Sequence, residues 1–283
     1  MSRSESLAGL IDARRLTLTP AERRVAEIVL AHPQLVAFGT VAQVATLART
    51  SGATVVRLAA KLGLDGFSRL QSQVQAELAS RLRPATEKIR EHPPGDQLTR
   101  AVTTELDNLH ATLDGLDRAH YGEAVQRLAA SKARIFVLPG DASRGVGIQF
   151  ADEMAMLRDG VTLLAGTEVG LARELSRIRD GDAVVVIDLR RYERWVISTT
   201  ARAKTSGAWV LALSDSALSP LADLADRTFV VHAAGAGPFD SHVGTLALAN
   251  ALVAGVAGAL RASATTRLDR IEAAWVAADA LVQ

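Results

Sequence analysis

Five short apolar runs in the second half of the chain constrain the fold most strongly. They alternate with segments of helical pattern, and their residues are 134–138 (RIFVL), 161–165 (VTLLA), 183–189 (AVVVIDL), 208–213 (AWVLAL) and 227–232 (RTFVVH). Strands that are apolar along their whole length and joined by helices form a parallel sheet with helices on both faces. The sequence therefore predicts an α/β domain with a five-stranded parallel sheet.

Ligands of such sheets bind at the carboxyl ends of the strands, near the point where the strand order reverses. The first loop, residues 139–145 (PGDASRG), leads from the first run straight into a predicted helix over 145–158. A Gly/Ser loop at a helix N-terminus favours an anion, although a plain strand-to-helix turn fits the loop equally well. The candidate ligand residues in this loop are Gly140, Ala142, Ser143 and Arg144.

The second loop, residues 188–193 (DLRRYE), follows the third run. Its arginines could hold a phosphate or carboxylate in a bidentate fork, or they could serve a subunit contact. The candidates here are Asp188, Arg190, Arg191 and Tyr192. Ser241, in the segment 237–242 before the last long helix, is a further candidate, with helix capping by Asp240 or Ser241 as the alternative.

The first 83 residues have only helical patterns. Thr19-Pro20-Ala21-Glu22 has the chemistry of a capping box with proline at the first helical position. The helix that starts there should end near His32, because a residue before proline avoids the helical region. A second helix is expected over about 40–48.

Residues 50–62 (TSGATVVRLAAKL) predict an amphipathic helix. Its apolar face comprises Val55, Leu58, Ala59 and Leu62, and its polar face carries Thr54, Arg57 and Lys61. Alone, this stretch would suit any amphipathic surface helix. The short Ser/Gly turn at 49–52 after another small helix is typical of a helix-turn-helix. Further helices near residues 7–14 and over 67–78 complete a predicted bundle of about five helices.

Charge and composition agree with this division. The 283-residue chain has a net charge of +1, but residues 1–83 carry +5 and the remainder −4. The positive charge of residues 1–83 favours contact of this N-terminal region with a polyanion. The chain has no cysteine, so disulfides and thiolate metal sites are excluded. No apolar run suits a signal peptide or membrane span, and we expect a cytoplasmic protein with no membrane contact.

The segment 41–71 (VAQVATLARTSGATVVRLAAKLGLDGFSRLQ) resembles the helix-turn-helix domain of RpiR-type (MurR/RpiR) transcriptional regulators. The matching residues are Ser51, Thr54, Val55, Arg57, Lys61, Leu62, Gly63, Gly66 and Phe67. The resemblance covers about residues 5–80. It implies a DNA-binding surface that comprises Arg49, Ser51, Ala53, Thr54, Arg57 and Lys61. In it Arg57 would contact a base edge, whereas Arg49 and Lys61 would contact phosphates.

Residues 105–260 resemble the SIS (sugar isomerase) domain that follows the helix-turn-helix in this family. Ser143 aligns with a serine of the family's first loop, and the run at 213–226 (LSDSALSPLADLAD) matches a family motif. Two departures stand out. Pro139 and Asp141 replace usual glycines, and the second loop lacks the family's Ser-x-Ser-Gly-x-Thr phosphate motif.

The predicted domains are a DNA-binding domain (1–83), a linker (84–104), a SIS-like domain (105–261) and a C-terminal helix (262–283). In the linker region, Arg83-Pro84 and residues 92–96 are predicted to be turns. Helices are predicted over 98–113, which has a leucine-rich stripe, and over 121–131, and this part of the chain is expected to pack against the second domain. The function expected is a DNA-binding transcriptional regulator whose SIS-like domain senses a small, anionic, sugar-phosphate-like metabolite. The partners expected are a palindromic double-stranded operator, this effector and further copies of the chain, as a homodimer or tetramer.

No cofactor, metal or enzymatic activity is expected. The possible general bases near the loops, Glu153, Glu168, Glu193 and His242, form no recognisable acid–base pair, and the six histidines lack metal-ligand spacing. A sugar-phosphate isomerase whose front helices serve only for packing is the alternative. An interaction module with an inactive ligand site is a third possibility.

Overall fold

The computed structural model describes residues 7–82, 85–91, 95–130, 132–217 and 219–281. The chain divides into two compact units, with the boundary between residues 84 and 85. The predicted turn at Arg83-Pro84 lies outside the described residues, as do residues 92–94 of the predicted turn over 92–96.

The first unit is helical throughout. Its helices are α1 (Leu7–Arg14), α2 (Pro20–Ala31), α3 (Pro33–Phe38), α4 (Val41–Leu47), α5 (Gly52–Lys61) and α6 (Gly66–Leu82), with one 3-10 turn at Arg15–Thr17. The capping box predicted at the start of α2 is present, with Thr19 and Glu22 each bonding the backbone N–H of the other. The helix ends at His32 as predicted, but Pro33 begins α3, because proline also suits a first helical position.

The second unit has eight helices and five strands within its described residues. In chain order they are α7 (Ala85–Glu91), α8 (Gln97–Asp114), α9 (Arg118–Ala129), β1 (Ile135–Pro139), α10 (Arg144–Leu157), β2 (Val161–Leu163), α11 (Glu168–Leu175), β3 (Ala183–Ile187), α12 (Arg194–Thr205), β4 (Trp209–Ser214), β5 (Arg227–Val230), α13 (Val243–Ala259) and α14 (Arg261–Ala277). All five apolar runs form strands, within one or two residues of the predicted bounds.

The strands form one parallel sheet in the order β2-β1-β3-β4-β5. Helices α9, α10 and α13 pack on one face, and α11 and α12 on the other. The order reverses between β1 and β3, since β1 continues to β2 on one side and β3 to β4 on the other. The carboxyl ends of β1 and β3, with the first and second loops, therefore form the crevice where ligands of this architecture bind.

Helix α8 runs continuously through residue 105, the predicted start of the SIS-like domain. The part of the chain that contains α8 was expected to pack against the second domain, and α8 does pack there, against α13. Asn108 and Thr112 bond the backbone of residues 232–234. The leucine-rich stripe takes little part in this packing, because Leu98, Val102, Leu106 and Leu113 are exposed.

No single helix in the described ranges has the length and apolar character to cross a membrane. Helices α13 and α14 meet these criteria only together, as a pair bent by 105°.

Candidate functional site

Helix α5 and the turn before it form the candidate nucleic-acid surface. The hydroxyl of Ser51 caps α5 by accepting the N–H of Thr54 at 3.4 Å. Helix α4 ends in a Schellman turn, in which the N–H of Thr50 bonds the carbonyl of Ala45 at 2.9 Å and Arg49 has φ 50°. Arg24 donates from Nε to the carbonyl of Ala48 at 3.2 Å, which satisfies a free carbonyl at that helix end.

The exposed face of α5 carries Arg57 among small apolar side chains, with the partly exposed Lys61 one turn further along the helix. Ala53, Val56, Arg57 and Ala60 are exposed, while the apolar face predicted from the sequence is buried. Val56 and Ala60 were missed as surface candidates, although their spacing from Ala53 and Arg57 places them on the same helical face. A face of this kind can offer a guanidinium to guanine and methyl groups to thymine.

Thr54 points into the domain. Its side chain is 4% exposed, its hydroxyl lies 3.1 Å from Ser51 Oγ, and it accepts a hydrogen bond from Arg57 at 2.9 Å. These contacts hold the start of α5 and restrain the Arg57 side chain. A DNA contact from Thr54 stays a prediction, and its burial favours a positioning role.

Lys61 is engaged within the helical unit. Its Nζ lies 2.7 Å from Glu22 Oε2 and donates to the carbonyl of Thr17 at 3.1 Å. The hydrogen bond from Lys61 lowers the pKa of the buried Glu22, against the opposing effect of burial. A phosphate contact from Lys61 stays a prediction, because it would draw the ammonium group away from this pair.

The first loop brings a buried hydroxyl and an exposed cation to the carboxyl end of β1. Ser143 is 1% exposed, and its Oγ has no hydrogen-bond partner in the described part of the chain. Ala142 is exposed, and Arg144 forms an ion pair with Asp141. Gly140 lies so close to the second loop that a Cβ atom there would be 2.6 Å from Asp188 Oδ1.

The second loop holds two carboxylates against the first. Asp188 is buried and accepts the N–H groups of Leu189 at 3.0 Å and Glu193 at 2.9 Å. Glu193 Oε1 in turn accepts the N–H of Asp141 at 2.6 Å. Burial, together with the nearby charges of Glu193 and Asp215, raises the pKa of Asp188 to about 6.

The arginine predicted to grip an anion is paired within the protein. Arg190 has φ 55°, and its guanidinium lies 3.1 Å from Asp240 Oδ1 and 3.9 Å from Asp215 Oδ2. Asp215 also accepts the backbone N–H of Arg190 and the hydroxyl of Tyr192. Asp240 is shared with Lys88 of α7 at 2.7 Å. Arg191 is exposed, so an incoming ligand could reach it directly.

Ser241 bonds the start of α13, but the predicted N-cap is wrong: His242, and not Asp240 or Ser241, occupies that position, without a side-chain cap. Ser241 Oγ accepts the N–H of Val243, the first residue of α13, at 3.1 Å and donates to Glu105. Next to it, burial lowers the pKa of His242, whose Nδ1 is buried without a hydrogen-bond partner in the described part of the chain.

A cavity of about 440 Å³ opens beside the first loop, and we call it the edge cavity. Its walls are the first loop, the loop after β2, α11 and α12, with Leu164, Leu171 and Trp195 supplying apolar surface. Arg144 is the only predicted ligand residue that lines it, and Arg202 adds a second cation. Sequence patterns missed this wall, because α11 and α12 are separated by β3 in the chain and come together only when both pack on the same face of the sheet.

The possible general bases are not assembled into an acid–base pair. Glu193 is bonded to the first loop and to Trp195, Glu153 to Gln149, and Glu168 is exposed at the start of α11. Within the described ranges, no group of three His, Cys, Asp or Glu residues could hold a metal ion.

Known proteins share both units. The sequence model of the helix-turn-helix domain of the rpiR family matches residues 6–81, and that of the SIS domain matches residues 128–255. The chain belongs to the RpiR family. An HTH-type transcriptional regulator of Haemophilus influenzae is 28% identical over 236 residues, which cover 81% of each chain. The regulator HexR of Pseudomonas aeruginosa is 29% identical over 225 residues, 77% of this chain and 76% of that one.

Solved structures agree with this RpiR assignment. The sugar isomerase domain of an RpiR transcription factor from Sphaerobacter thermophilus is 26% identical, with a TM-score of 0.59, and the match covers 63% of this chain and 99% of that one. The Vibrio vulnificus NanR protein shares the fold over 96% of this chain and 98% of its own, with 23% identity and a TM-score of 0.55. This RpiR-family chain is a DNA-binding transcriptional regulator with a SIS domain.

Proposed function

We propose that α5 enters the major groove of the operator and that Arg57 reads a base edge there. The observation that carries this proposal is the position of Arg57 on the exposed face of a helix whose opposite face is buried. Ala53 lies on the same face, and Arg49 and Ser51 are exposed in the turn before α5, where they could contact phosphates. Such contacts set affinity and its salt dependence, whereas Arg57 sets specificity.

The test is binding to DNA from upstream of the gene, measured by fluorescence anisotropy. Arg57→Ala should lower specific affinity by about five- to 150-fold, because a bidentate base contact contributes about 1–3 kcal/mol. Arg69→Ala on α6 removes the same charge away from α5 and serves as the control. Wild-type affinity and specificity in Arg57→Ala would remove Arg57 from the interface.

We further propose that the effector is an anionic metabolite of the phosphosugar class, bound where the first loop meets the edge cavity. The buried, unpartnered hydroxyl of Ser143 offers a donor to a ligand, and Arg144 offers a cation at the cavity wall. The similarly folded NanR was solved in complex with ManNAc-6P, which supports this class of ligand. Gly140 and Ala142 would line the approach, while the second loop would have to release its internal bonds first.

A thermal-shift screen of phosphosugars and acidic metabolites tests the effector site. A compound that stabilises the wild type but not Arg144→Ala, and that changes DNA affinity, would support it. Arg173→Ala on α11, an exposed arginine that does not line the cavity, is the matched control. A stabilising shift that survives Arg144→Ala and Ser143→Ala would place the effector elsewhere.

We propose that this SIS domain senses its ligand without converting it. Glu193, the possible general base closest to both loops, is held by Asp141 and Trp195, which leaves it poorly placed to take a proton from a sugar carbon. Aldose–ketose conversion of any compound from the screen, followed by NMR, would favour the isomerase alternative instead.

We propose that the regulator acts as a homodimer on a palindromic operator, with half-sites about 34 Å apart or a multiple of this. The exposed apolar stripe on α8 supports self-association of the SIS domain. An effector that prefers one arrangement of two subunits would then change DNA affinity by linkage.

A further inference from the structure

The anion position of the second loop is already occupied by a carboxylate of the protein. Asp188 follows β3 directly, is 2% exposed, and accepts the N–H groups of Leu189 and Glu193 through its two oxygens. Glu193 is the residue before α12, at the helix end whose dipole and free N–H groups attract an anion. The side chain thus takes the hydrogen bonds that an oxyanion ligand would take.

A second carboxylate closes the same crevice from the other side. Glu193 Oε1 accepts the N–H of Asp141 and would lie 3.1 Å from a Cβ atom on Gly140. The first and second loops therefore meet through carboxylate oxygens. A phosphate entering between them meets two negative charges before it reaches any N–H group.

Asp188 is held by N–H groups and not by a cation. No ion pair joins it to a lysine or arginine in the ranges that the structure describes, and the charges of Glu193 and Asp215 act on it as like charges. A buried carboxylate without a cation is costly to keep ionised. It therefore gives up its bonds at lower cost than a paired carboxylate would.

We propose that Asp188 is an internal competitor for the effector's anionic group and a specificity-determining residue of the effector site. This inference rests on the proposed effector site. A ligand gains the N–H groups of the second loop only when the carboxylate leaves them. A bare oxyanion is therefore rejected, whereas a ligand with further contacts in the edge cavity can displace the side chain.

The test is a titration of the full chain with inorganic sulfate by isothermal calorimetry at pH 7.5. Asp188→Asn removes the charge at nearly constant size, and Asp188→Ser removes it while adding a small hydroxyl donor. Asp180→Asn makes the same charge change at an exposed position before β3, at the opposite end of the strand, and is the control. We expect Kd for sulfate to fall at least tenfold in both Asp188 variants and to be unchanged in Asp180→Asn.

A crystal structure of Asp188→Asn with sulfate shows where the sulfate binds. Sulfate on the N–H groups of Leu189 and Glu193 is the expected result. Unchanged sulfate affinity in both Asp188 variants, or sulfate bound only elsewhere, overturns the proposal and leaves Asp188 a structural residue. If a phosphosugar still stabilises the wild type but not Arg144→Ala, the effector site survives that failure. If no compound does so, the effector site itself is wrong.

Discussion

Lys61 and Glu22 join α5 to the start of α2, and replacing Lys61 tests what this ion pair contributes. Glu22 is buried and belongs to the capping box of α2, so without Lys61 its charge lacks a cation. We expect Lys61→Met to lower the free energy of unfolding of the helical unit by about 1–2 kcal/mol, less than for a fully buried pair because water screens the partly exposed lysine. Urea unfolding at pH 7 measures the change.

The pH dependence of unfolding gives a second test of the ion pair between Lys61 and Glu22. The pKa of Glu22 is lowered in the fold, so its stabilising contribution is present at neutral pH and is lost as the pH falls through that lowered pKa. Lys61→Met should show less of this acid loss than Arg57→Met, the control on the same helix. If Lys61→Met unfolds like the wild type but binds DNA with a shallower salt dependence, Lys61 is a phosphate contact, as the sequence pattern predicts.

Asp188 should make the SIS unit less stable as the pH rises. Its pKa is raised to about 6, so the fold favours the protonated form, and stability present at low pH is lost as the pH rises toward and through 6. The shift of about two pKa units corresponds to at most about 3 kcal/mol. Thermal unfolding between pH 4.5 and 7.5 should show a decline in the wild type and a flatter profile in Asp188→Asn. Parallel profiles would mean that other groups near the loop, such as Glu193 and Asp215, cause the decline.

In the turn between α4 and α5, two substitutions of Arg49 can distinguish the effect of backbone strain from the effect of charge. Arg49 adopts φ 50°, which costs a non-glycine residue about 1 kcal/mol. Arg49→Gly should therefore raise the free energy of unfolding by up to about 1 kcal/mol while it weakens DNA binding and reduces its salt dependence. Arg49→Ala removes the same charge but keeps the strain. Equal free energies of unfolding for Arg49→Gly and Arg49→Ala would show that the turn is not strained. Unchanged DNA affinity in both variants would show that Arg49 does not contact DNA.

Elements set by local sequence could be predicted, and this covers the helix-turn-helix and all five strands. The capping box at Thr19 and the end of α2 at His32 each depend on residues a few positions apart. The faces of α8 could not be predicted in this way. Its apolar spacing indicates a helix, but Asn108 and Thr112 bury the opposite side by bonding a distant backbone segment.

At the candidate site, the contacts of the second loop also could not be predicted from local sequence. In the sequence, Arg190 and Arg191 replace the serine and threonine hydroxyls of the family's motif, which suggests that arginines bind the ligand. In the fold, the carboxylates of Asp215, after β4, and Asp240, before α13, lie close to Arg190, and Asp188 accepts N–H groups of the loop. These partners are 25 or more residues from Arg190 or depend on the direction of a single side chain, so no local pattern reveals them.

For the whole molecule, the apolar stripe of α8 predicts how the chain associates. Leu98 is 75% exposed, and Val102 and Leu106 follow at helical spacing on the same side. A twofold dimer places the same helix of each copy at the interface, so this stripe would cover itself. We therefore expect the double variant Leu98→Glu/Leu106→Glu to be monomeric in analytical ultracentrifugation, because it would bury like charges against each other.

Loss of the dimer should also lower the affinity for operator DNA. A monomer engages one half-site at a time and lacks the gain in effective concentration that linked half-sites provide, so specific affinity should fall about a hundredfold or more. Thr103→Glu adds a carboxylate to an exposed side of α8 outside the stripe and should leave both assembly and affinity unchanged. Arg57→Ala should remain dimeric while losing specificity, which separates recognition from assembly. A double variant that still sediments as a dimer would show that another surface joins the subunits, and α14, with Val276 exposed, would be the next to change.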